Sequence, residues 1–247
     1  MIGTYDFDML QMYMGRDYVI NDYITVHQPT IGEIVDMGEK KYFSSLYLIC
    51  AIPSDMKSQL WDIGVDWEEI SDFELFCMLY QTFDPEDTKV FFGDLDFREL
   101  QLAVNKENEE IILVNTDTGL VIDPLIYQKM VDYLRKMHGI KPKVEHAANA
   151  YTKKFLIEED RDNIAMNKNK PYKSTLLPLI SAMCNSAGFK YKKNELNEIG
   201  IYEFMDSVQR IPLINSSTAL LHGCYGGMID ASKIKKEDLN WFKDLSQ

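Results

Sequence analysis

Ser71-Asp-Phe-Glu-Leu-Phe-Cys-Met-Leu-Tyr-Gln-Thr-Phe83 decides the fold class. Its first four residues form a capping box. The serine hydroxyl accepts a free amide of the first helical turn, and the glutamate three residues on reaches back to the serine amide. Ile70 and Leu75 can close an apolar staple across that cap. The residues that follow (Phe76, Cys77, Met78, Leu79, Tyr80) are too apolar to face water together, so a largely buried helix is predicted from Phe73 to Phe83. Asp84-Pro-Glu-Asp87 ends it.

Upstream, Thr30-Ile-Gly-Glu33 is a second capping box, opening a helix that stops at Gly38. Tyr42 to Ile52 is apolar on nearly every side and predicts a central buried helix. Pro53-Ser-Asp55 opens another, with Met56, Leu60 and Ile63 on one stripe and Gly64 at its end. Residues 1–28, rich in Tyr, Met and Asp, predict an arm that packs on its own domain or on a neighbour.

Downstream the period changes. Glu99 to Asn105 alternates apolar and polar positions, as a half-buried strand does. Lys106-Glu-Asn108 turns, Glu109 to Val114 is a second strand, Asn115-Thr-Asp-Thr-Gly119 is a hairpin turn, and Leu120 to Ile122 is a third strand. Asp123-Pro124 then starts a helix that reaches about His138 and stops at Gly139. Further helices are predicted over Val144–Asn167, Ser174–Ala187, Ile201–Ile211 (bent or ended by Pro212) and Ser232–Leu245, the last with Ile234, Leu239 and Phe242 toward the core. No internal repeat or low-complexity tract is present. The fold class is mainly α (α+β), multi-helical with a small three-stranded antiparallel β-meander at about 99–122.

Charge divides the chain. The formal net is −13. Residues 1–140 carry 26 Asp/Glu against 10 Lys/Arg, a net of −16, whereas 141–247 carry 13 against 16, a net of +3. The change coincides with the linker-like Ile140-Lys-Pro-Lys143. Two regions are therefore predicted, 1–140 acidic and helical with the meander, 141–247 more basic and helical. The boundary is soft, and one compact domain stays open. The acidic half should repel nucleic acid and suits a basic protein partner or simple solubility.

No apolar run approaches the roughly 20 residues of a membrane span. The residues from Met1 to Asp8 lack the basic start and apolar middle of a secretory signal. Cys50, Cys77, Cys184 and Cys224 are far apart, and no CxxC or CxxH exists to begin a zinc site. Reduced core thiols and a cytoplasmic setting are expected.

Side chains that carry chemistry are sparse. Asp94 and Asp96, one residue apart, could share a divalent cation as in metal-dependent nucleases, but a third carboxylate and a phosphate contact are missing nearby, so a turn is the simpler reading. Asn115 to Gly119 fails as a calcium loop because no glutamate follows at the required spacing. His27, His138, His146 and His222 make no zinc pattern. Lys190-Tyr-Lys-Lys193 and Lys233-Ile-Lys-Lys236 are short basic clusters that a solvated helix face explains. His222-Gly-Cys-Tyr-Gly-Gly227 is read as a tight turn where elements cross closely. No cofactor or catalytic residue is expected, and the chain is read as a binding or assembly protein. The apolar positions Tyr42, Leu46, Leu48, Trp61, Trp67, Phe73 and Phe76 are the candidates for partner contact.

As a set, several stretches carry a resemblance: Gln28-Pro-Thr-Ile-Gly-Glu-Ile-Val-Asp-Met-Gly-Glu39, Ile52-Pro-Ser-Asp55, Leu60-Trp-Asp-Ile-Gly-Val-Asp-Trp-Glu-Glu-Ile-Ser-Asp-Phe-Glu-Leu-Phe76, Phe189-Lys-Tyr191, Ile201-Tyr-Glu-Phe204, Leu220-Leu-His-Gly-Cys-Tyr-Gly-Gly-Met-Ile-Asp230 and Leu239-Asn-Trp241. Over about 28–245 the chain resembles tail-module proteins of tailed bacteriophages and prophages of Gram-positive bacteria, most similar in role to tail-assembly chaperones. The resemblance implies no catalytic residue. It implies a tape-measure or tail tube protein as partner, in the bacterial host cytoplasm. A structural tail or neck component of the virion, a nucleic-acid-binding or regulatory phage protein, and a homo-oligomer are the alternatives left open.

Overall fold

The computed structural model describes residues 7–245, and residues 1–6 of the predicted arm lie outside them. Eleven α-helices and two small antiparallel sheets make up the described residues.

The arm packs on its own domain. Asp8 caps α1 (Met9–Tyr13), and β1 (Tyr18–Val19) pairs antiparallel with β2 (Thr25–Val26). Phe7, Met12, Ile24 and Val26 are buried. The capping box at Thr30 is formed as predicted and opens α2 (Ile31–Met37), which stops at Gly38. Gly38 has a φ of 90° that an L side chain rarely adopts, so α3 (Glu39–Ile49) can follow at once.

That helix differs from the expectation of one buried all round. It runs three residues further N-terminal and stops short of Ile52, whose extended backbone leads into Pro53. Tyr42, Leu46 and Ile49 are interior, while Tyr47 stands 57% exposed, so the helix has a wet face. A 3-10 turn at Pro53–Asp55 precedes α4 (Lys57–Asp62), in which Leu60 is buried, while Ile63 at its C-terminal cap is exposed.

The capping box at Ser71 is also formed and opens α5 (Asp72–Leu79), with a 3-10 turn at Tyr80–Thr82 completing the predicted span. Asp84-Pro85 does more than end it. Asp84 accepts the Glu86 amide, and Pro85 is the first residue of α6 (Pro85–Phe92), an element the sequence reading lacked. Asp-Pro stops one helix and starts the next equally well, because proline lacks only an amide that the first turn leaves unpaired.

The meander is as predicted: β3 (Gln101–Val104), β4 (Ile111–Val114) and β5 (Val121–Ile122) in the order β3-β4-β5, with Leu102 opposite Leu113 and Leu113 opposite Ile122. Asp123 then caps α7 (Pro124–His138), which ends at a left-handed Gly139. A non-helical stretch leads to α8 (Ala150–Asn167), then α9 (Leu176–Cys184).

The main core gathers Tyr42, Phe76, Phe91, Phe97, Met130 and Leu134 with Leu176, Leu196, Phe204 and Ile211, so both charge regions contribute to one apolar interior. Each such large side chain stabilises the fold by about 2 kcal/mol on burial. A satellite cluster of Leu60, Trp67, Leu75 and Ile157 docks α8 onto α4. Ile70 packs against that cluster beside Leu75, as the staple requires.

Two C-terminal expectations are corrected. α10 runs from Ile201 to Tyr225 with Pro212 inside it, rather than ending near Ile211. The predicted helix over Ser232–Leu245 is instead a 3-10 turn at Ala231–Lys233 and the short α11 (Lys236–Leu239), and Phe242 is 78% exposed rather than turned to the core. The cysteines are free, but Cys184 is exposed and is no core thiol.

Candidate functional site

The seven apolar candidates do not share an exposed face. Tyr42, Leu46, Trp67, Phe73 and Phe76 are interior, Leu48 is half-buried, and Trp61 is exposed. Their contacts explain why. Phe76 packs against Tyr127, Phe83 and Phe97 with ring centroids 4.8, 5.4 and 5.7 Å apart. The Tyr42 hydroxyl donates to His138 Nε2, since His138 Nδ1 donates to the Leu134 carbonyl at 2.8 Å. Burial pushes the His138 pKa down to about 4, so the ring is neutral at pH 7. Trp67 lies beneath Lys153, whose ammonium is 4.8 Å from the ring centre and pairs with Asp66 and Glu68.

The linker-like stretch is pinned rather than loose. Glu145 pairs with Lys57 at 2.8 Å and Lys143 at 2.6 Å, which holds its carboxyl at about 2, and its backbone amide donates to Ser54. Asp96 caps the 3-10 turn Phe97–Glu99 and pairs with Arg98, which holds its carboxyl below the usual range. Asp94 is almost fully exposed. The pair serves a turn, and among the described residues no group of three or more His, Cys, Asp or Glu is placed to hold a metal ion.

The surface that stands out lies in the C-terminal third, where the chain runs back along its own helix. Up to Ile211 α10 is fastened to the core by Ile201, Phe204 and Ile211. Beyond Pro212 only Ser217 and Gly223 are buried. A Cβ on Gly223 would come within 2.5 Å of Ile229, so glycine here admits the returning chain. The amides of Met228 and Ile229 donate to the Gly223 carbonyl at 2.9 and 3.1 Å, and Gly227 takes the left-handed conformation that reverses direction. The glycine-rich stretch is thus the close crossing expected of it.

Two further ties hold the returning segment. Ser217 donates to the Asp238 carbonyl at 2.9 Å. Arg210, set by both oxygens of Asp206, donates to the carbonyls of Trp241 at 2.8 Å and Lys243 at 3.2 Å. The result is a strap over 228–245 tied along α10 at three heights. On it Met228 and Phe242 stand 82% and 78% exposed, with Trp241 stacked on Phe242 at 3.9 Å, and Tyr225 at the end of α10 is 86% exposed. Phe242 lies at the Arg210 end of the strap, and Tyr225 and Met228 lie at the Gly223 end, so exposed apolar side chains of the types enriched at protein interfaces mark both ends of it. Sequence reading does not single these residues out: it turns Phe242 to the core, reads Tyr225 as part of a tight turn and gives Met228 no role, and only the glycines at 223, 226 and 227 signal a reversal.

At the foot of the strap, α1, the end of α7 and α10 enclose a cavity of about 670 Å³, lined by Leu10, Tyr13, Lys136, Tyr202, Asp206 and Arg210. Burial and the carboxylates of Asp206 and Glu203 raise the Tyr13 pKa, so its hydroxyl stays protonated.

A family model described as the YomV second domain matches residues 167–246, and YomV is a protein of a Bacillus prophage region. The matched span starts at the last residue of α8 and takes in α9, α10 and the strap. No curated protein and no solved structure matches the chain. No helix among the described residues is long and apolar enough to cross a membrane.

Proposed function

We propose that the chain is a non-enzymatic phage protein of tail assembly, a chaperone that holds the tape-measure protein in the host cytoplasm while tube subunits gather around it. The observation that carries this reading is the coincidence of two features on one span. Residues 167–246 match a domain of a prophage-region protein, and the same span exposes Tyr225 at the end of α10 and Met228 and Phe242 on the strap.

A tape-measure protein is long and helical, with apolar stripes that need cover until the tube encloses them. Aromatic and methionine side chains on a surface adapt to such stripes, methionine because its unbranched chain repacks readily. The net charge of −13 keeps the free protein soluble and disfavours a nucleic-acid partner. Co-expression with the tape-measure protein of the same phage should yield a complex in pull-down, and its absence would contradict the proposal. Mass spectrometry of purified particles separates the alternative, because a structural tail or neck component stays in the virion and a chaperone does not.

A further inference from the structure

The outer edge of the meander is unfinished. In the order β3-β4-β5, α7 packs on β5, while β3 has a strand only on its β4 side among the described residues. Leu102 and Val104 stand opposite Leu113 and Ile111, and directly opposed residues point to the same side of a sheet. Leu113 and Ile122 on that side are fully buried, so Leu102 and Val104 belong to the core-facing side. Yet they are 57% and 61% exposed. The apolar face continues past the edge of the layer that covers it.

The backbone beside them is also open. Asn105 donates to the Glu110 carbonyl at 2.8 Å, and bonded pairs alternate along an antiparallel ladder. Ala103 and Gln101 therefore bond inward to β4, and the N–H and C=O groups of Leu102 and Val104 point outward. No proline, bulge or inward-pointing charge blocks this edge, the usual protections of an exposed strand.

Charge selects the occupant. At one end of β3 lie exposed Arg98, which is taken up by Asp96 at 3.1 Å, and exposed Glu99; at the other lie exposed Glu107, Glu109 and Glu110 with a single cation, Lys106. Antiparallel pairing of two copies through β3 would bring the turn acids of one beside Glu99 of the other, and like charges so placed repel. We infer that the β3 edge receives an extended, basic segment of another polypeptide as a fourth strand, its alternate apolar side chains covering Leu102 and Val104 and its lysines or arginines meeting the flanking glutamates. This surface is separate from the strap, so the inference does not rest on the proposed function.

The test uses the full chain and a heptapeptide of alternating lysine and valine, blocked at both ends, with residue-resolved amide hydrogen exchange. Peptide binding is expected to slow exchange at Leu102 and Val104 and to leave Ala103, already bonded to β4, unchanged. A peptide of alternating glutamate and valine should give no protection. Val104→Pro removes an outward amide, and Leu102→Lys places a charge under the added strand; each should weaken binding about tenfold, the size of one lost main-chain hydrogen bond. The second variant keeps the test open if the first disturbs the meander. Unchanged exchange at Leu102 and Val104, equal affinity in both variants, or protection that grows with protein concentration in the absence of peptide would overturn the inference.

Discussion

Glu39 shows how a single side chain joins distant parts of this chain. It is the first residue of α3, yet its carboxylate caps α9, accepting from the amides of Thr175 and Leu176 at 2.7 and 2.9 Å and from the Thr175 hydroxyl at 2.8 Å. Burial alone would raise its pKa, but these bonds together with one from Ser174 hold it at about 2. A carboxylate lowered in the fold contributes stability above its unfolded pKa of about 4.5 and loses it as pH falls toward 2. Glu39→Gln should therefore cost about 1–2 kcal/mol at pH 7 and little at pH 2, measured by urea unfolding at both. His138 acts at higher pH. Its proton is taken up by the unfolded chain below about 6.5 but by the folded chain only near 4, so stability falls across that window by up to about 3 kcal/mol. In a series of thermal midpoints from pH 7 to 4, His138→Gln should flatten that decline, and an unchanged slope would refute the assignment.

Among the elements, α10 and its strap carry the prediction most specific to this fold. A proline in a helix interior costs about 3 kcal/mol or more, and α10 nonetheless continues for a further 13 residues to Tyr225. The continuation is held by ties at Gly223, Ser217 and Arg210 rather than by a core of its own. Arg210→Ala removes the lowest tie and leaves the Asp206 carboxylate without its partner. Limited proteolysis should then cut within 228–245 much faster than in the wild-type chain while the remainder stays resistant; equal cutting rates would show that the strap is held otherwise. These elements also mark where the sequence was legible. The capping boxes at Thr30 and Ser71, the Asp123-Pro124 start and the three strands depend on neighbours within a few residues, and all were read correctly. Pro212, Asp84-Pro85 and the strap depend on contacts made by residues remote in the chain, or on a signal that serves as both stop and start. No local pattern distinguishes those outcomes.

Across the whole molecule, the acidic and basic regions share one interior, with Leu176, Leu196, Phe204 and Ile211 packed in the same core as Tyr42 and Phe91. The intact chain should unfold in one cooperative thermal transition, and two resolved transitions would show that the regions are independent. The sharing also explains why the candidate site was only partly legible. Apolar side chains are alike in sequence whether they fill a core or face a partner, so Tyr42, Leu46, Trp67, Phe73 and Phe76 were indistinguishable from Tyr225, Met228 and Phe242 until burial separated them. The account stands on the second group. The affinity of the tape-measure protein for the combined Tyr225→Ala, Met228→Ala and Phe242→Ala variant, by titration calorimetry beside the wild-type chain, tests it most directly. At least about a tenfold loss with an unchanged unfolding midpoint is predicted, and wild-type affinity in the variant would contradict it.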